Sequence, residues 1–133
     1  MAAALGLPGV RTIQSAIDDF VASLNAEHTR QSYATPLKHF SAFLAEQGIK
    51  VQNAPVDALS VDHAIDFVAW LRYEHFRDPD QPAKATLQLY LTVIYRFYRS
   101  LLKRDLALNA TDLARLQESY RDARDIRGES RPK

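Results

Sequence analysis

Between Thr86 and Arg104 the segment TLQLYLTVIYRFYRSLLKR places Leu87, Leu91, Ile94, Phe97 or Tyr98, and Leu101 three or four residues apart. At 3.6 residues per turn these positions form one stripe, whereas a strand would scatter them over both faces. The spacing predicts a helix with its apolar side in a core. The opposite side carries Gln88, Thr92, Arg96, Arg99 and Lys103, and the segment contains no acidic residue. The whole chain has a formal net charge of only +1, so any attraction for a polyanion must come from where its cations sit. A strip of cations and hydrogen-bonding groups without carboxylates suits a phosphate backbone.

The same period recurs along the chain, and no segment alternates convincingly over the length of a strand. A first helix is predicted from about Thr12, its N-cap, to Leu24, with Ile13, Ile17, Phe20, Val21 and Leu24 on one face and Asp18 and Asp19 outside it. A second runs from about Thr29 to Gln47, with Tyr33, Leu37, Phe40 and Leu44 facing inward and Gly48 ending it. Pro36 falls inside it. Either the helix continues with a kink, or a new helix starts with Thr35 as N-cap and Pro36 in its first turn. Tyr33 extends the apolar stripe backward by one turn, which favours the kinked helix.

Ile49 to Leu59 contains Pro55, has no helical period and reads as a connecting loop. Ser60 is then placed to cap a third helix reaching about His75. Its inner face is Val61, Ala64, Ile65, Val68 and Leu71, flanked by Phe67 and Trp70, with Asp62 and Asp66 outside. The stretch RDPDQPAK, Arg77 to Lys84, breaks the pattern before the basic fourth helix. A fifth helix, about Thr111 to Ala123, presents Leu113, Leu116 and Tyr120.

A chain of 133 residues fits one core, and 47% hydrophobic with 25% charged residues is a globular composition rather than a disordered one. The division expected is a flexible tail over residues 1–11, a helical domain over 12–124, and a linker over 125–133 leading toward a further domain. There is no cysteine, which rules out disulfides and thiolate-held metal. The start MAAALGLPGV lacks the basic region of a signal peptide, and no window approaches the roughly 20 apolar residues of a membrane span. A soluble protein of the cytoplasm is expected, with no membrane partner.

Candidate chemistry is sparse. His63 with Asp66, or Glu74 with His75 and Asp78, supplies part of a metal site, but a site needs three or four convergent ligands, and these read as solvated helix-surface residues. With four glycines in all, the chain lacks a phosphate-cradling loop. Tyr120 has nothing near it in the sequence that would stabilise a pentavalent phosphate, and it reads as a packing residue. Among Tyr90, Tyr95, Phe97 and Tyr98 only Tyr95 projects toward the polar side. No cofactor and no small-molecule substrate are expected.

Two of these segments resemble the N-terminal core-binding domain of tyrosine recombinases, the phage-integrase family. In TRQSYATPLKHFSAFLAEQG the opening family pattern falls on Thr29, Ser32, Tyr33, Leu37, Phe40, Phe43 and Leu44. In ATLQLYLTVIYRFYRSLL the later pattern falls on Thr86, Leu91, Ile94, Phe97, Tyr98 and Leu101. The resemblance takes in all five helices in order. Two positions depart from it: Tyr95 stands where the family often has a basic residue, and Asn109–Ala110 where Asn-Pro is common.

The resemblance implies an all-α, compact SAM-like orthogonal bundle of four to five helices, forming one half of a C-shaped clamp on double-stranded DNA. It implies that the second and fourth helices face the major groove, and that the first and last contact neighbouring protomers. Catalysis in such proteins belongs to a separate C-terminal domain with two arginines, a lysine, a His-x-x-Arg motif and a nucleophilic tyrosine. Here the residues three places after His28, His39, His63 and His75 are Gln31, Ala42, Asp66 and Asp78, so that motif is missing. The expected function is non-catalytic DNA binding in integration and recombination. Lys84, Arg96, Arg99 and Lys103 are the candidates for phosphates, Gln88 and Thr92 for base edges, and Tyr95 for a further contact. Thr29, Arg30, Lys38 and His39 are expected to form a second strip. The rival readings are a protein-interaction module with an incidental basic face and an enzyme built on the histidines of the third helix.

Overall fold

The computed structural model describes residues 11–71, 84–104 and 108–129, with side chains for 11–71, 87–104 and 108–122. Among the described residues five α-helices occur in this order: α1 Ile13–Ala22, α2 Glu27–Glu46, α3 Val61–Trp70, α4 Lys84–Lys103 and α5 Ala110–Glu129. Among the described residues the only β feature is an isolated bridge between Thr12 and Pro55. The fold is an all-α bundle.

Several helix ends have a local chemical cause. Thr12 caps α1 by accepting the Ser15 amide on Oγ1 at 3.1 Å. The two amides before Ser15 turn to the α2–α3 connection: Ile13 donates to the Ala54 carbonyl at 3.0 Å and Gln14 to that of Val51 at 2.9 Å. Val56 returns a bond to the Arg11 carbonyl at 2.8 Å, so Arg11, expected in a flexible tail, is held. At the end of α2, Gly48 adopts φ 85°, a left-handed conformation that favours glycine. There Ile49 donates to Leu44 and Gly48 to Ala45, the paired bonds of a Schellman motif. His63 Nδ1 accepts the Ser60 amide at 3.1 Å, one half of a capping box that starts α3. Asn109 Oδ1 accepts the Asp112 amide at 2.8 Å and caps α5.

Several expected boundaries shift. Helix α2 begins at Glu27, whose carboxylate complements the positive end of the helix dipole, and runs as one helix through buried Pro36. The connection after it is more than a loop: Val51, Val56 and Leu59 are buried, and Val56–Ala58 forms a 3₁₀ turn. On α3, Phe67 is fully buried against Phe40 and Phe43 of α2, while Ile65 is only half-buried. The predicted end of that helix, with Glu74, His75 and Asp78, lies outside the described residues. Helix α5 continues to Glu129, past the loss of its apolar period at Ala123.

The core lies where α2, α3 and α4 meet, closed by α1 on one side and α5 on the other. Phe40 packs edge-on against Phe67 with centroids 5.1 Å apart, and against Tyr98 at 6.1 Å. Phe20 of α1 joins through Phe97 at 5.7 Å. Burying a hydroxyl without a partner is costly, and the two tyrosines with essentially no exposure, Tyr98 and Tyr120, each find one on α3 or its N-cap. Tyr98 donates to the Ser60 carbonyl and Tyr120 to the Ala64 carbonyl, each at 2.8 Å. Tyr120 is thus fixed in the interior as a packing residue that joins α5 to α3. No helix among the described residues is long and apolar enough to cross a membrane.

Candidate nucleic acid interface

Helices α2 and α4 lie side by side and antiparallel, since early residues of one meet late residues of the other. At one end Tyr33 of α2 accepts a hydrogen bond from Arg96 Nη1 of α4 at 2.9 Å. Toward the other, the His39 ring stacks on Tyr90, centroids 5.5 Å apart, with its Nδ1 2.7 Å from the Tyr90 hydroxyl. Burial pushes the Tyr90 pKa up, so that hydroxyl keeps its proton and stays able to donate to a neutral imidazole. These contacts join the outer edges of the two helices over the aromatic core.

The last turns of α4 carry the cations. Exposed Arg96, Arg99 and Lys103, together with half-buried Ser100, line one shallow cleft of about 290 Å³. They gather there because positions three and four apart lie on one side of a helix, while the stripe Leu91, Ile94, Phe97, Tyr98 and Leu101 faces the core with essentially no exposure. Among the described residues no ion pair includes Arg96, Arg99 or Lys103. Nearby arginines off this strip are instead held in ion pairs: Arg104 and Arg11 share Asp19 on α1, and Arg115 of α5 pairs with Asp62 of α3. The cleft therefore keeps a positive field. Lys103 in the last turn also lies at the negative end of the helix dipole, so its charge suits the fold too.

The remaining candidates occupy different settings. Gln88 is exposed one turn before half-buried Thr92 on the α4 strip, and Tyr95 is half-buried against the core edge. Lys84 is the first residue of α4, and its side chain lies outside the described residues. The strip expected on α2 divides. His39 faces Tyr90 of α4, whereas Lys38 lines a groove of about 550 Å³ between α1 and α2, with Ile17, Val21 and Leu37 in its wall. Arg30 donates from Nε to the Leu24 carbonyl at 3.1 Å and pairs with Glu27, and Thr29 is half-buried beside it. The sequence reading missed Ser100 and the hydroxyl of Tyr33. Ser100 was visible in principle, four residues after Arg96 and three before Lys103. Tyr33 was not, since only the packing of α2 on α4 brings it to Arg96.

His63 is spent on the capping box, and among the described residues no group of three or more His, Cys, Asp or Glu side chains is arranged to hold a metal ion. No curated protein and no solved structure matches the chain. Residues 17–105, from α1 through the end of α4, match the family described as phage integrase, N-terminal SAM-like domain, and α5 lies beyond the matched span.

Proposed function

We propose that this chain, which belongs to the phage-integrase N-terminal SAM-like family of tyrosine recombinases, grips duplex DNA along the outer edges of α2 and α4. The family's core-binding domains bind DNA without carrying the catalytic residues, and the family match supports reading this chain as a DNA-binding domain of that kind. The finer reading assigns Arg96, Arg99 and Lys103 to phosphates, with Lys84 at the start of the same helix. Gln88 and Thr92 reach toward base edges, and Tyr95 touches the backbone beside them. His39, Thr29 and Arg30 contribute from α2, and Lys38 from its α1 side. Neighbouring protomers meet α1 and α5, and the domain acts on the nucleoid in a prokaryotic cytoplasm as part of a longer recombinase.

One observation carries this reading: the cations of the α4 cleft have no carboxylate partner among the described residues, although carboxylates pair with arginines at either side of them. Unpaired cations side by side repel one another modestly and gain when they displace the counterions condensed on a polyanion into the solvent. Most such contacts position a protein rather than select a sequence, so the isolated domain binds weakly and with steep salt dependence. A labelled duplex titrated against wild type and the Arg96→Ala, Arg99→Ala, Lys103→Ala triple variant tests it. The log-log salt slope should fall by about 2.7, at about 0.9 for each phosphate contact removed. Equal affinity and slope for the two proteins would reject the assignment.

A further inference from the structure

We infer that Tyr33 is a positioning residue for DNA binding, holding the Arg96 guanidinium in the orientation that receives a phosphate. The inference rests on the reading of the α4 cleft as a phosphate contact and adds a residue of another helix to it. Tyr33 is only 7% exposed, and its ring stacks on Phe20 with centroids 6.2 Å apart and planes 23° off parallel. The core thereby fixes where its hydroxyl stands. Arg96 is exposed at the rim of the cleft and spends one N–H of Nη1 on that hydroxyl. A guanidinium offers five N–H donors in a rigid fork, so the donors left over can meet phosphate oxygens from a set direction.

The chemistry of the acceptor matters as much as its place. Had the partner been a carboxylate, as for Arg104 on Asp19, the pair would cancel much of the charge the phosphate needs. A phenol hydroxyl is neutral, so it orients the arginine and leaves its charge whole. A long exposed side chain loses rotamer freedom when DNA immobilises it, and one already held loses less. Tyr33 thus lowers the entropic cost of the contact.

The test is a duplex titration across a salt series with the 133-residue chain as wild type, Tyr33→Phe, Arg96→Ala and the double variant. Phenylalanine keeps the ring and its stacking on Phe20 and removes only the hydroxyl. Tyr33→Phe is expected to weaken binding about three- to tenfold at every salt concentration without changing the slope, because the charge stays. Arg96→Ala should lower the slope by about 0.9, and the double variant should behave as Arg96→Ala alone. If Tyr33→Phe weakens binding equally with and without Arg96, the hydroxyl acts through the fold and the inference is overturned. Wild-type binding by Tyr33→Phe alongside a deficient Arg96→Ala overturns it too, while leaving the phosphate reading intact. Unchanged affinity and slope in Arg96→Ala would remove the phosphate reading itself. Arg96→Lys leaves the tyrosine untouched and checks the point away from the core: retained slope with weakened binding is expected, and full wild-type affinity would overturn the need for an oriented fork.

Discussion

Arg104 and Lys103 are neighbours in sequence at the end of α4, yet they belong to two different populations of cations. Arg104, like Arg11, reaches Asp19 on α1, and Arg115 reaches Asp62 across the seam between α5 and α3. Lys103 turns the other way, into the cleft with Arg96 and Arg99. One residue along a helix is a rotation of about 100°, and that rotation separates a tie between helices from a free positive charge. An exposed ion pair contributes about 0–1 kcal/mol and has little field beyond its own dipole. The unpaired set adds nothing comparable to the fold, and its field extends outward by about a Debye length, roughly 8 Å at physiological salt. A net charge of +1 conceals this division entirely.

Reversing charge in each population is the strongest way to break the comparison. Arg99→Glu should weaken duplex binding by about tenfold to a hundredfold at low salt, since it deletes a contact and adds a repulsion beside two remaining cations. Arg115→Glu, placed against Asp62, should instead leave binding within about twofold and lower the melting temperature. Matching losses of affinity from the two variants would mean that total charge, not its placement, governs binding.

The charge of one carboxylate of the paired set, exposed Asp62, is also felt in the core. Burial, then the charges of Tyr120 and Asp62, hold the Tyr98 hydroxyl well above the ordinary tyrosine value of 10. The unfolded chain releases that proton near pH 10 while the folded chain keeps it. The contribution to stability is therefore complete below that pH and is lost as pH rises beyond it, by up to about 1.4 kcal/mol per pH unit. Thermal melts from neutral to strongly alkaline pH should show this decline in wild type and a shallower one in Tyr98→Phe, whose neutral-pH stability is lower by about 0.5–1.5 kcal/mol for the lost bond to Ser60. Identical alkaline limbs would show that another group sets the decline.

The smallest effect sharpens the comparison most. Asp19→Asn removes the carboxylate that Arg11 and Arg104 share, at a cost of up to about 1 kcal/mol of stability. Arg104 then joins the unpaired population, and duplex binding should tighten about twofold to threefold, with the salt slope rising by no more than about 0.9. Unchanged binding would place Arg104 off the path of the DNA.

The sequence announced the helices because each buries a stripe at helical spacing, and it announced the cation strip because Arg96, Arg99 and Lys103 follow the same period on the other side. Pro36 was read correctly as interior to one helix, since Tyr33 before it and Leu37 after it share a buried face. What depends on packing between helices was not legible. Lys38 and His39 are adjacent, and no local rule says which of them looks toward α1 and which toward α4. His63 carries a ligand's chemistry but caps α3, which its position three residues after Ser60 would have signalled had the capping box been sought with histidine in the place of glutamate. Ala110, where relatives were expected to carry proline, occupies the first position of α5, a place that proline fits but does not require.

The start of α1 is closed by carbonyls that arrive only after α2 has been made, those of Val51 and Ala54. A helix of ten residues is too short to persist alone in water. The start of α1 is therefore complete only when the loop after α2 is in place, and that loop couples the opening of α1 to the opening of the α2–α3 junction. Fraying at one should expose amides at both, so the amino-terminal edge of the domain behaves as a single cooperative unit.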